Sequence, residues 1–133
     1  MTGAEPTQKA VDQFILDEID SVPHLEALLM LRNDRSKEWT VDEMAKGLYV
    51  STDIARKILQ NLVQRRLITV MAGTVEHYRY ESQSEERDAL LRLVDATYRR
   101  ELVRVSTMIH SKASPAVREF ARAFRFTKDK DRD

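Results

Sequence analysis

The stretch from Trp39 to Val70, WTVDEMAKGLYVSTDIARKILQNLVQRRLITV, constrains this chain more than any other. It holds two helix starts eleven residues apart, at Thr40 and Ser51. Thr40-Val41-Asp42-Glu43 has the form of a capping box. The threonine hydroxyl takes the Glu43 amide, and the Glu43 carboxylate reaches back to the Thr40 amide. The helix it opens is short, with Met44, Ala45 and Leu48 facing in and Gly47 near its end, where glycine relieves a tight backbone. LYV makes a turn. Ser51 caps the next helix, and Asp53 sits in the first turn, where the helix dipole favours an anion. This second helix runs to about Arg66 on an inner stripe of Ile54, Ile58 and Leu62, flanked by Leu59 and Val63. Removing the stripe leaves Ser51, Thr52, Asp53, Ala55, Arg56, Lys57, Gln60, Asn61, Gln64 and Arg65 on the outside.

The flanks complete the unit. Downstream, LITV reads as a strand, MAGT as a turn around Gly73, and VEHYRYE as the returning strand of a hairpin. Upstream, Val11, Phe14, Ile15 and Ile19 fall at helical spacing between Thr7 and Asp20. Ser21 caps a further helix, VPHLEALLMLRN, with Pro23 in its first turn and Leu25, Leu28, Leu29 and Leu31 buried. NDRSK is a loop and EWT a short strand. Beyond the hairpin, SQSEE caps a long helix from about Ser84 to His110. Its stripe is Leu91, Val94, Tyr98, Leu102, Val105 and Ile109, and at 1.5 Å per residue it spans about 40 Å. Ser114-Pro115 opens a last helix with Val117, Phe120, Ala121 and Phe124 inward.

The expected fold is mainly α with a small β-hairpin: a winged helix-turn-helix with a flanking N-terminal helix and long C-terminal helices. The expected divisions are an N-terminal packing or dimerisation arm over residues 1–20, the winged unit over 21–81, a dimerisation region over 82–126 and a solvated tail over 127–133. From Glu38 to Tyr80 the chain resembles the bacterial winged helix-turn-helix transcriptional regulators of the broad MarR and ArsR types. The resemblance covers about Val22 to Glu81. The long helix after the wing is similar to the dimerisation helices of such regulators in position and length.

A helix about 10–12 Å wide fits the major groove of B-DNA. To read bases it presents paired donors and acceptors on one outer face. Arg56, Lys57, Gln60, Asn61 and Gln64 are the candidates for bases, since Arg pairs with guanine and Gln or Asn with adenine. Ser51, Thr52 and Arg65 are the candidates for phosphates. The wing tip, with Ala72, Gly73 and Thr74, carries no Arg or Lys, so its contacts are expected to be weak.

Charge bounds the partner. The 133 residues carry 22 basic and 22 acidic side chains, which argues against a chain that coats nucleic acid by net charge alone. The distribution is uneven, at −4 over residues 1–20 and +3 over 51–70. The unit from Glu38 to Glu81 balances six bases against six acids. That balance, with Asp53 on the outer face, motivates the alternative: a winged-helix module that binds a protein of the transcription or signalling machinery.

Catalysis and cofactors find no support. The chain has no cysteine, which fits a reducing, cytoplasmic setting. No secretory signal or roughly 20-residue apolar span is visible. His24, His77 and His110 are scattered, without the local pairs metal sites use. The caps Ser21, Ser51, Ser84 and Ser114 account for serines that lack any GxSxG surround, and three glycines form no phosphate loop. Tyr78 and Tyr80 read as packing on Trp39 or on the helix beneath, and Arg99, Arg100 and Arg104 as a solvated face. The expected protein is a non-enzymatic, cytoplasmic regulator without cofactor or metal. Duplex DNA is its partner, a homodimer its assembly, and no membrane is involved. No effector is identifiable.

Overall fold

The computed structural model describes residues 6–113. The last helix expected from Ser114 and the tail lie outside the described residues. The elements are α1 (Gln8–Glu18), α2 (Val22–Asn33), α3 (Val41–Leu48), α4 (Thr52–Gln64), β1 (Ile68–Met71), β2 (His77–Tyr80), α5 (Glu85–Arg100) and α6 (Leu102–Ala113).

Each helix start follows from a side-chain cap. The Thr7, Ser21, Ser51 and Ser84 hydroxyls accept from the amides of Ala10, His24, Ile54 and Arg87. The capping box forms in both directions: Glu43 N donates to Thr40 Oγ1 at 3.1 Å and Thr40 N donates to Glu43 Oε1 at 2.9 Å. Such caps satisfy amides that have no partner within the helix.

The hairpin pairs β1 and β2 antiparallel, Ile68 opposite Tyr80 and Met71 opposite His77. Trp39 adds a single bridge on the other side of β2, exchanging both backbone bonds with Tyr78 at 2.7 Å. Tyr78 and Tyr80 are buried beneath this small sheet, as the period of two requires for residues that share a face.

One core runs through the described residues. Val11, Phe14 and Ile15 of α1 and Ile19 just after it, with Leu25, Leu28 and Leu31 of α2, meet Met44, Leu59, Leu62, Leu91, Val94, Val105 and Ile109. α2 lies at the centre, packed against α3, α4, β2 and α6. This explains why it is apolar almost all round.

One expectation needs correction, and two others are narrowed. The long helix is not one rod. It breaks at Glu101, whose φ of −127° and ψ of 49° leave the helical region, and resumes as α6. Leu102 therefore leaves the inner stripe and is 52% exposed. The rest of the stripe is covered within the chain, since α1 packs on both α5 and α6; it does not by itself call for a second copy. Finally, Gly47 does not close α3 in a left-handed conformation. Tyr49 does, at φ 58°. Gly47 instead allows close approach, because a Cβ there would stand 2.5 Å from Met30 Cε.

Candidate nucleic-acid interface

The outer side of α4 is open. Ser51, Thr52, Asp53, Arg56, Lys57, Gln60 and Gln64 are all exposed, whereas Ala55, Ile58, Leu59 and Leu62 face the core against α2 and α3. The buried arc differs by one position from the sequence expectation: Ala55 lies inside and Ile54 is 49% exposed. Helix geometry decides this. At 100° per residue, an arc holding Ile58, Leu59 and Leu62 is centred close to Ala55, and Ile54 falls on the flank. Ile54 is the larger apolar side chain, but the three leucine and isoleucine positions count back to the alanine.

Of the five residues expected to face bases, Arg56, Lys57, Gln60 and Gln64 share this open side. Arg56 Nη1 lies 3.3 Å from Asp53 Oδ1 in an exposed i,i+3 pair. Such pairs are worth roughly 0.2–0.5 kcal/mol, so the guanidinium is readily released.

Asn61 and Arg65 are engaged elsewhere. Arg65 donates to the Asp17 carbonyl at 2.9 Å, to Glu18 Oε1 at 3.2 Å and to Asp20 Oδ1 at 3.0 Å. Its Nε also donates to Asn61 Oδ1 at 3.1 Å, while Asn61 Nδ2 donates to Asp20 Oδ2 at 3.4 Å. These two residues bind the C-terminal end of α4 to the α1–α2 junction instead of facing outward. The signal was present in the sequence as opposite net charges on residues 1–20 and 51–70, though no local pattern pairs them.

The hairpin tip carries Ala72, Gly73 and Thr74, all exposed, followed by exposed Val75 and Glu76. A groove between the start of α3, α4 and the wing is lined by Thr40, Asp42, Arg56, Val75 and Glu76. The neighbourhood of Arg56 and Lys57 is thus mixed in charge rather than uniformly positive.

The wing is braced from behind. Asp88 of α5 accepts through Oδ1 from Arg32 Nε at 3.1 Å, from Tyr80 Oη at 2.9 Å and from Arg35 Nη2. Its side chain is 13% exposed. Burial alone would raise the Asp88 carboxyl, but the Arg35 and Tyr80 hydrogen bonds and the two guanidinium charges outweigh it and hold the group at about 2. The cluster joins α2, β2 and α5. Elsewhere, Arg104 joins α6 to α1 through Asp12 at 3.1 Å, and Arg99 pairs with Asp95 at 2.9 Å.

An open cleft of about 310 Å³ lies between α2, the end of α3 and α5, lined by Glu26, Met30, Gly47, Tyr49, Asp95 and Tyr98 among others. Tyr98 donates to Glu26 at 3.1 Å; burial, then the Glu26 charge, push its phenol up to about 12. The histidines stay apart. His24 Nδ1 is 2.6 Å from Ser21 Oγ, with burial pushing its imidazole below the ordinary value. His77 Nδ1 is 2.9 Å from the Val75 carbonyl, and His110 is exposed. Among the described residues no three of His, Asp and Glu converge so as to hold a metal ion, and no helix is long and apolar enough to cross a membrane.

Two capped helices set against a hairpin, with α4 open to solvent, define a winged helix-turn-helix fold. Solved structures share it over nearly the whole chain. MepR, a transcription regulator of the Staphylococcus aureus multidrug efflux pump MepA, matches with a TM-score of 0.50 at 16% identity, over 94% of this chain and 89% of that one. RV1404 from Mycobacterium tuberculosis gives 0.51 at 20% identity, over 94% and 84%. A MepR variant bound to an oligodeoxyribonucleotide gives 0.53 at 15% identity, over 95% and 89%. At these identities the likeness is one of fold. No protein-family model matches the sequence, and no curated protein matches it.

Proposed function

We propose that the protein is a DNA-binding transcriptional regulator of the cytoplasm that docks α4 in the major groove. The observation that carries this reading is the exposed row of Arg56, Lys57, Gln60 and Gln64 on a helix whose opposite side is packed into the core. Arg56 and Lys57 offer donors to guanine and to phosphate, and Gln60 and Gln64 offer the paired donor and acceptor that adenine accepts. Ser51 and Thr52, at the start of α4, approach the phosphates. The wing tip Ala72–Thr74 lies along the backbone and adds little, because it carries no cation. The likeness to a regulator bound to an oligodeoxyribonucleotide supports the same mode. The protein acts by occupying or recruiting at a promoter and performs no catalysis.

The protein acts as a homodimer, with contacts drawn from α1, α5 and α6; the rest of the expected dimerisation region lies outside the described residues. Support comes from the apolar step at the α5–α6 break, where Leu102 is 52% and Val103 78% exposed. Two copies of α4 would then meet half-sites about 34 Å apart.

The test is a selection of duplexes from a random pool, followed by titration of Arg56→Ala with Gln60→Ala. Each good bidentate contact is worth about 1–3 kcal/mol, so the pair weakens specific binding by about 2–4 kcal/mol while the fold is retained. An unchanged affinity would refute the site. The second reading is a protein-binding module on the same face. It is favoured by the acids that border that face, Asp42, Asp53 and Glu76. Association that withstands both high salt and nuclease would support it.

A further inference from the structure

Ile54 is a large apolar side chain left half in water. It stands in the first turn of α4, its amide donates to the Ser51 hydroxyl at 3.2 Å, and its side chain is 49% exposed. The inward place that an isoleucine would fill is taken by Ala55. Ile54 shares its flank of the helix with Lys57, three residues on, and an exposed row of Lys57, Gln60 and Gln64 continues from it. An anionic, hydrogen-bonding surface is the complement of that row, and the apolar group at its leading edge needs an apolar spot on the same partner.

Resting on the proposed DNA-binding reading, we infer that Ile54 is a specificity residue that packs against the C5-methyl group of thymine. Among the major-groove edges of the four bases, only thymine presents a methyl group; the others present donors and acceptors alone. Recognition helices of the helix-turn-helix kind bring their N-terminal residues to the base edges, and Ile54 is in that turn. Its geometry is fixed before binding. The cap holds the backbone, and branching at Cβ restricts the side chain to few rotamers, so little freedom is lost on contact. Polar groups around it supply register, with Ser51 and Thr52 toward phosphate and Lys57 and Gln60 toward neighbouring base edges. The site of each protomer accordingly includes a thymine one or two steps from the bases met by Lys57 and Gln60.

Uracil differs from thymine at this edge by the methyl group alone, which makes the test independent of protein folding. Duplexes selected by the full chain are resynthesised with uracil at each thymine in turn. One position per half-site should lose about fourfold in affinity, the equivalent of about 0.8 kcal/mol for one buried methyl-sized group. With Ile54→Ala that position should no longer distinguish thymine from uracil, while Ile54→Val keeps part of the discrimination. Thermal melts of both variants should match the parent closely, because the side chain is half outside the core. Selected duplexes that bind equally with thymine or uracil overturn this contact and leave the DNA-binding reading intact. A uracil effect that persists in Ile54→Ala overturns the assignment to Ile54. Enrichment of no duplex at all overturns the DNA-binding reading and the contact together.

Discussion

Replacing Asp88 with Asn tests how the wing is held. The carboxylate joins α2, β2 and α5 through Arg32, Arg35 and Tyr80, all on one oxygen. Lowering its carboxyl from 3.8 to about 2 corresponds to about 2 kcal/mol of stability, at about 1.4 kcal/mol per pH unit. Breaking a buried ion pair by removing one partner costs about 3–5 kcal/mol. Here the lower end applies. Asn keeps an acceptor for the Tyr80 hydroxyl, and Arg35, half exposed, can turn to water; only Arg32, 9% exposed, is left as a buried charge. We expect Asp88→Asn to cost about 2–3 kcal/mol, or about 10 °C in Tm for a chain of this size. The folded-state carboxyl is depressed, so its contribution is complete above pH 3.8 and fades as pH falls through about 2. At pH 3 the gap between parent and variant should be roughly half its value at pH 7. Melts followed by circular dichroism at the two pH values measure both, with Asp53→Asn as a control. Asp53 is paired only at the surface and should move stability by less than about 0.5 kcal/mol. A gap under about 3 °C at pH 7, or one that stays constant on acidification, would refute the reasoning.

The remaining expectations concern the proposed interface and assembly. If each protomer of a dimer brings Arg56 and Lys57 to phosphates, about four counterions are released. The slope of log K against log salt should then be about −3.6; a slope near zero in a fluorescence-anisotropy series excludes this mode. Tyr49, 94% exposed at φ 58°, adopts a conformation that costs a non-glycine residue about 1 kcal/mol. Tyr49→Gly should therefore raise stability by about 0.5–1 kcal/mol in urea titration, and a loss would show that the ring makes contacts of its own. Leu102→Glu with Val103→Glu should shift sedimentation from dimer toward monomer with melting otherwise preserved, and an unaltered profile would move the interface away from the α5–α6 break.

How far the sequence could be read depended on the range of the forces involved. Caps act over three residues, and Ser21, Thr40, Ser51 and Ser84 all accept the amides that their spacing implies. Inward stripes set by helical period were legible for the same reason in α1 and α2. The hairpin followed from alternation around Gly73. Ile54 falls on the flank although it is the larger apolar side chain, because the arc of Ile58, Leu59 and Leu62 is centred close to Ala55, a point that helix geometry alone makes legible. The break at Glu101 had no proline or glycine to announce it. Of the candidate site, the open side of α4 with Arg56, Lys57, Gln60 and Gln64 was legible. The engagement of Asn61 and Arg65 was not, because its partners lie more than forty residues away.

That engagement changes where binding energy would come from. Arg65 closes the C-terminal end of α4 as a cation that sequence pattern gives to phosphate, yet its donors go to the Asp17 carbonyl, Glu18, Asp20 and Asn61. The acids on the α1–α2 junction thus neutralise one of the few positive charges near the proposed groove and in return fix the angle of the helix. α1 is in turn packed on α5 and α6, so the pose of α4 is tied to the elements proposed to carry the dimer contacts. With two outward cations on α4 and none on the wing tip, non-specific attraction to a polyanion is weak in this chain, as its zero net charge also implies. Affinity for a particular duplex then has to arise from complementarity to base edges. Under the proposed function, a chain with so few outward cations would gain little from sliding on arbitrary DNA. On that reading, binding would depend on Arg56, Gln60 and the proposed apolar contact of Ile54 meeting the right sequence together.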